Sequence, residues 1–254
     1  MPEPAIRVFA DLEGLSRGAA DCFAEAARGR VAESGRFFAA LSGGTTLRRL
    51  YELLGTSPWC DRMQWNNIHF FQVDERLVPP NHPESNFRMI REALLAPVRV
   101  PRSNFHRIAG ESEDPAEVAH RYATELARVI PGREGDCPRL DLMVLGMGAD
   151  GHTASLFPRS SALAEARLWV LPTEPGPNGI PRITLTLPVL NAAAQILILV
   201  AGAEKAGVLR RAIEGADSSD LLPAQCVRPA RGQVTWFVDE AAAGGLQRHA
   251  RSIG

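Results

Sequence analysis

The 254-residue sequence has almost no charge imbalance: 28 Lys and Arg face 29 Asp and Glu, a formal charge of -1. It lacks the basic field that nucleic acid or an anionic membrane surface requires, so any anionic ligand must be held by a local site. Cysteine is sparse. Cys22, Cys60, Cys137 and Cys226 form no C-x-x-C pair, which excludes a disulfide framework or a zinc ribbon and predicts reduced, mostly buried thiols. No apolar run approaches the ~20 residues of a membrane span, and the most apolar stretch, 192–203, is interrupted by Gln195. The first residues carry Glu3, Asp11 and Glu13 where an export signal has a basic segment and then an apolar run, so a cytoplasmic address is expected. No repeat, low-complexity tract or charged tail is visible.

With 45% hydrophobic and 22% charged residues, the chain matches the roughly 45–50% and about 25% of ordinary globular proteins, which excludes disordered and fibrous classes. At ~150 residues per domain the length leaves one large or two small domains open. Short runs rich in Val, Ile, Leu and Phe read as strands: Ile6–Phe9, Arg36–Leu41, Ile68–Val73, Leu140–Leu145, Trp169–Leu171, Ile196–Val200 and Val234–Val238. Between several of them lie segments of helical period. Asp11 is placed to cap a helix ending near Gly35, Asp114 with Glu117 opens one through Val129, and Ala203–Glu214 forms another. Interleaved strands and helices predict parallel pairing through right-handed crossovers, hence a doubly wound α/β sheet with helices on both faces. The one linker-like stretch, Pro172–Pro181, is too short to separate domains and reads as an active-site loop, so a single domain over 1–254 is expected.

In such sheets ligands sit beyond the carboxyl ends of the strands, which directs attention to the residues following each one. Ser42-Gly43-Gly44-Thr45 follows the second strand and opens a helical run, the physics of a phosphate cradle: close backbone approach and unpaired N–H groups at a helix start. No Lys follows, so it is not a Walker A loop. Asp74-Glu75-Arg76 follows the third strand, and three charges at a buried strand's end call for a polar site. Gly146-Met147-Gly148-Ala149-Asp150-Gly151-His152 follows the fourth. It contains a G-x-G-x-x-G, but Pro158 leaves no room for the required helix and Asp150 and His152 intrude where pyrophosphate would touch bare backbone. His152, after a strand-end Asp-Gly turn, stands where a general base is expected. The other histidines show no zinc-binding spacing, and no G-x-S-x-G elbow marks a serine hydrolase. Lys205, in a chain where lysine is scarce, follows another strand as a candidate anion ligand.

Taken in order, Ser42-Gly43-Gly44-Thr45, Val73-Asp74-Glu75-Arg76 with Ser85-Asn86, Gly146 to Pro158, Arg182-Ile183-Thr184-Leu185-Thr186 and Gly202–Ala206 resemble the 6-phosphogluconolactonases over most of the chain. Gln72, Glu84 and Phe87 depart from the residues common in that family. The resemblance implies a glucosamine-6-phosphate isomerase-like fold and hydrolysis of 6-phospho-D-glucono-1,5-lactone in the pentose phosphate pathway, without cofactor or metal. It implies His152 as the base with Asp150 orienting it, and a phosphate held by Ser42, Gly43, Gly44, Thr45, Arg76 and Lys205. Arg182 would add charge, and Asp74 and Glu75 would lie at the substrate. A monomer or small homo-oligomer is expected, with a sugar-phosphate lactone as partner and neither nucleic acid nor membrane. A glucosamine-6-phosphate deaminase shares both acidic motifs but continues them as Asp-Glu-Tyr and Asn-Glu-Pro, whereas here Arg76 and Leu156-Phe157-Pro158 stand. A sugar-phosphate sensor would carry a DNA-binding segment, and no basic helix-turn-helix pattern precedes Ile6.

Overall fold

A strand buried along its whole length belongs inside a sheet covered on both faces, and Phe37–Leu41 is buried at every residue. The computed structural model describes residues 5–176, 178–215, 221–247 and 251–252. Its principal elements are β1 (Ala5–Phe9), α1 (Leu12–Ser34), β2 (Phe37–Leu41), α2 (Thr45–Leu54), β3 (Ile68–Gln72), β4 (Asp74–Arg76), α3 (Asn86–Ile90), β5 (Phe105–His106), α4 (Pro115–Val129), β6 (Leu142–Gly146), β7 (Val170–Thr173), β8 (Arg182–Leu185), β9 (Gln195–Val200), α5 (Ala206–Glu214), β10 (Gln233–Asp239), α6 (Glu240–Ala243) and β11 (Arg251–Ser252).

Eight strands form one sheet in the order β11-β1-β10-β9-β6-β2-β3-β5, parallel at every pairing. Successive side chains leave opposite faces of each strand, and the core divides accordingly. Phe37, Ala39, Leu41, Phe70, Leu142, Val144, Leu197 and Leu199 pack under α1 and α2. Phe38, Ala40, Phe71, Met143, Leu145, Ile196 and Ile198 face α4 and α5. Phe23 of α1 anchors the first layer, edge-on to Phe37 at 5.6 Å and stacked on Phe70 at 6.3 Å. The expected doubly wound α/β architecture is present.

Helix ends follow local chemistry. Asp11 accepts from the Gly14 N–H at 2.8 Å, and Gly35, at φ +76°, closes α1 by donating to Val31. Asp114 accepts from Ala116 and Glu117 at the start of α4. The predicted helix from Ala203 begins instead as a 3-10 turn, with α5 starting at Ala206.

Three expectations need correction. The strand read at Trp169–Leu171 is β7, and it joins β4 and β8 in a separate antiparallel sheet, β4-β8-β7. Pro172 and Thr173 therefore lie within that strand, and the loop begins only at Glu174. The four cysteines are half-buried rather than buried, with burial pushing the Cys22 and Cys137 thiols up. Strands β4, β5 and β8 escaped the sequence reading because they are short or charged.

The strand order reverses between β2 and β6. From β2 the chain proceeds outward through β3 to β5, and from β6 it proceeds the other way through β9 to β10. This switch point is where a parallel sheet opens a crevice beyond its carboxyl ends.

At one sheet edge His69 and His106 lie 3.1 Å apart, Nδ1 to Nε2, and His106 Nδ1 is 2.7 Å from Glu125 of α4. Ionised Glu125 only accepts, so His106 Nδ1–H donates to it; with both rings neutral, His106 Nε2 accepts a hydrogen bond from His69 Nδ1–H. His106 stacks on Phe71 and His69 on Phe38. Burial pushes both imidazoles below their ordinary value, His106 despite the opposing hydrogen bond to Glu125. As pH falls below the ~6.5 of an unfolded-chain histidine, the unfolded state takes up protons first. Stability is thus full above that pH and declines below it until the folded rings protonate. We expect the melting temperature to fall between pH 7 and pH 5, less steeply in His69→Phe, which keeps the stacking; equal slopes in the two proteins would remove the pair from the acid response.

Candidate active site

The loop after β6 contains no helix and closes on itself. Gly148 N–H donates to the His152 carbonyl, Gly151 N–H to Gly148, and Thr153 Oγ1 to Gly146. Gly151 turns at φ +83°. A side chain at Gly148 would place its Cβ 2.2 Å from the His152 ring, so the imidazole rests on bare backbone. With no helix behind it, the G-x-G-x-x-G offers no dinucleotide site.

Within this loop His152 Nδ1 lies 2.6 Å from Asp150 Oδ1, and the His152 N–H donates to the same oxygen at 3.1 Å. The ring packs on Phe157, 4.8 Å between centroids. Burial would push the Asp150 carboxyl up, but the hydrogen bonds from His152 pull it below its usual value. An ionised Asp150 accepts a hydrogen bond from Nδ1–H, leaving the Nε2 lone pair able to accept a proton. His152 lines a cleft of about 190 Å³ together with Ser42 to Leu47, Asp74, Arg76, Asn86, Arg182 and Lys205. Larger hollows of about 490 and 500 Å³ lie at the amino ends of β1, β9 and β10, away from the Asp150–His152 pair.

Opposite the dyad, Ser42-Gly43-Gly44 leads from β2 into α2. Tyr51 Oη donates to the Ser42 carbonyl at 2.7 Å and fixes the loop. Gly44 caps α2 at φ +121° with no side chain over the helix end, so the first N–H groups face the cleft rather than being covered by Thr45. Arg76 and Arg182 are direct cross-strand partners on β4 and β8, a like-charge pairing that destabilises a sheet unless an anion is shared. Their guanidinium Nε atoms and the Ser42 Oγ are all buried without a hydrogen-bond partner. Three buried donors without a partner around one cleft can together receive an anion. Burial and the neighbouring Arg76 both push Arg182 below its ordinary value. Lys205, the chain's sole lysine, is lowered by burial against the pull of Glu204 and Asp239. Asp239 accepts from the Gly202 N–H and so sets the turn that carries Lys205.

Of the acidic motif, Asp74 and Arg76 line the cleft and Glu75 does not. Asp74 accepts from Ser155 Oγ at 2.7 Å, tying the base loop to β4. Glu75 is turned into the protein, where burial raises its carboxyl above the ordinary value against the pull of its hydrogen bonds. Asn86, Thr46 and Ser155 belong to the surroundings of the site and were not singled out from the sequence. Asn86 sat in a recognised motif, yet nothing local to it reveals that its carboxamide lies over Gly43. Among the described residues no group of three His, Cys, Asp or Glu side chains could hold a metal, and no helix is long and apolar enough to cross a membrane.

Comparison with known proteins matches residues 10–236 to the family of glucosamine-6-phosphate isomerases and 6-phosphogluconolactonases. A probable chloroplastic 6-phosphogluconolactonase of Oryza sativa subsp. indica is 37% identical over 243 residues, covering 92% of this chain and 74% of that protein. A 6-phosphogluconolactonase of a Synechocystis strain is 36% identical over 244 residues, 96% of this chain and 99% of its own. The crystal structure of 6-phosphogluconolactonase from Leishmania guyanensis superposes with a TM-score of 0.85 at 30% identity, covering 97% of this chain and 100% of that one.

The cradle makes a direct prediction. A Cβ at Gly43 would lie 1.8 Å from Asn86 Oδ1, whereas one at Gly29 in α1 would meet nothing within 4 Å. Gly43→Ala should weaken the binding of inorganic phosphate at least ~10-fold, about 1.4 kcal/mol, and Gly29→Ala should leave it unchanged. Calorimetric titration of both variants reads the difference, and equal affinities would show that the loop does not hold the anion.

Proposed function

The chain belongs to the family of glucosamine-6-phosphate isomerases and 6-phosphogluconolactonases, and from that premise we propose that it hydrolyses 6-phospho-D-glucono-1,5-lactone to 6-phosphogluconate with His152 as the base. The observation that carries the reading is the meeting, in one cleft, of a free imidazole Nε2 with the orphaned donors of Ser42, Arg76 and Arg182. A phosphorylated substrate satisfies those donors and sets its far end before the imidazole.

The phosphate is received by the first N–H groups of α2, by Ser42, and by the positive charges of Arg76, Arg182 and Lys205. Asp74, with one oxygen engaged by Ser155, accepts a sugar hydroxyl through the other. His152 Nε2 takes a proton from water as its oxygen forms a bond to the lactone carbonyl carbon. Asp150 steadies the resulting imidazolium through Nδ1–H, as an orienting carboxylate does in other dyads. The tetrahedral oxyanion then expels the ring oxygen, which leaves with the proton carried on Nε2. One imidazole serves both transfers, and the open product carries a hydroxyl and a carboxylic acid that releases its remaining proton to solvent to become the carboxylate. A lactone is an activated ester, so no covalent nucleophile is needed.

With this reading go a single catalytic domain, a monomer or small homo-oligomer, and a cytoplasmic setting, the last supported by Cys22, Cys60 and Cys137, which stand as thiols.

His152→Asn retains polarity and size but cannot accept the proton. We expect kcat to fall by about 10²–10⁴, with melting temperature and 6-phosphogluconate affinity unchanged once spontaneous lactone hydrolysis is subtracted. A near-normal kcat would move the base elsewhere. Because Lys205 is the sole lysine, pyridoxal phosphate followed by borohydride should modify one side-chain amine, and 6-phosphogluconate should protect it. Mass spectrometry of the labelled peptide decides this; labelling at Lys205 undiminished by the product would exclude it from the phosphate site.

A further inference from the structure

Glu75 is a buried charge beside the cleft to which the chemistry above gives no task. It stands between Asp74 and Arg76, and because side chains alternate along a strand, their facing the cleft turns Glu75 away from it. The side chain is 2% exposed. Its Oε1 accepts from the backbone N–H of Arg76 at 2.8 Å and of Asn86 at 2.7 Å. Its Oε2 accepts from Gln72 Nε2 at 2.8 Å, the Phe87 N–H at 2.8 Å and Ser85 Oγ at 3.1 Å. A carboxylate offers about four lone-pair positions, so these five donors leave none for a substrate hydroxyl.

The grip has a fixed end and a working end. Gln72 is wholly buried and is itself held by the Ile108 N–H, which donates to its Oε1 at 2.9 Å. From that anchor Glu75 seizes the start of α3, whose first side chain is Asn86. Asn86 Nδ2 donates to the Asp74 carbonyl at 3.0 Å, and since that carbonyl only accepts, Oδ1 is the atom lying over Gly43. The carboxamide therefore bridges the strand that carries Asp74 and the loop that cradles phosphate, on the wall of the cleft.

Resting on the lactonase reading, we propose that Asn86 contacts the sugar hydroxyls between the phosphate and the lactone carbon, and that Glu75 is the positioning residue that seats it. Glu75 itself touches no substrate. A contact to hydroxyls remote from the reacting carbon is made equally in the ground and transition states, so its loss raises KM and leaves kcat nearly intact.

A double-mutant cycle tests this. Wild type, Glu75→Gln, Asn86→Ala and the double variant are compared for KM and kcat on the phosphorylated lactone and for 6-phosphogluconate Kd by calorimetry. Asn86→Ala keeps its backbone N–H on Glu75 and should raise KM and Kd about tenfold, with kcat within about threefold and an unchanged melting temperature. Glu75→Gln presents an amide donor to N–H groups that need an acceptor and should raise both by a similar factor. In the double variant the effects should not multiply, because Glu75 acts through Asn86. An increase of about a hundredfold there, the product of the two, would overturn the proposal, as would a kcat loss in Glu75→Gln at unchanged KM. If Glu75→Gln does not fold, Ser85→Ala, which removes one donor to Glu75, takes its place in the cycle. A wild type that binds 6-phosphogluconate without turning over the lactone would sink the lactonase reading alone, and the Kd cycle would still decide the role of Asn86. Failure to do either would sink both.

Discussion

Two neighbouring parallel strands whose outgoing connections depart in opposite directions leave a gap above their carboxyl ends, and in this chain those strands are β2 and β6. No crossover helix spans that gap. The phosphate-type loop descends from β2 and the Asp150–His152 loop from β6, so adjacency of two strands in the sheet becomes adjacency of two chemistries. The next strand, β9, adds Lys205 from the same end. The small sheet β4-β8-β7 supplies Asp74, Arg76 and Arg182 from above. Each group lies on a strand or on a short turn leaving one, and the Asp150–His152 turn is held by its own hydrogen bonds.

The cleft stores unfavourable interactions between like charges and unpartnered donors. Arg76 and Arg182 face one another across β4 and β8, and each leaves its Nε without an acceptor. Partial compensation comes from the loops: the Glu84 carbonyl accepts from Arg76, and Asn178 bridges Glu84 and Arg182. A stacking contact of the Arg182 guanidinium over Phe157, 5.4 Å to the ring centroid, links the same cation to the ring that supports His152. Under the proposed reading, a phosphate dianion would relieve this arrangement, the usual exchange between stability and function at a binding site.

Asp74 and Glu75 illustrate how one residue of register separates two roles. Both are buried carboxylates at a strand end, and both stand in one charged motif. Alternation along β4 gives Asp74 to the cleft and Glu75 to the protein, where five donors saturate it. The buried Gln72 is one of those donors and is fixed by the Ile108 backbone. A charge run read only as charge cannot make this distinction; read as a strand of period two, it can.

Much of the protein was legible from local sequence. The alternation of apolar runs with helical segments gives a doubly wound sheet, since strand burial and helix capping are set within a few residues, as at Asp11 and Asp114. Glycine pairs and charged residues at strand ends pointed to the cleft that the structure forms there, because a parallel sheet opens its crevice beyond the carboxyl ends of its strands. Other features depend on contacts between distant parts of the chain. Ser155 reaches Asp74 across 81 positions, Tyr122 reaches Gln72 across 50, and Asn86 lies over Gly43. The β4-β8-β7 sheet likewise joins β7 to β4 and β8, two segments that carry no strong strand signal of their own. Local propensity and periodicity decide which residues form an element and which end carries chemistry. Only the packed structure decides which faces meet, because a side chain's partner is fixed by the register and crossing of elements that the chain brings together late.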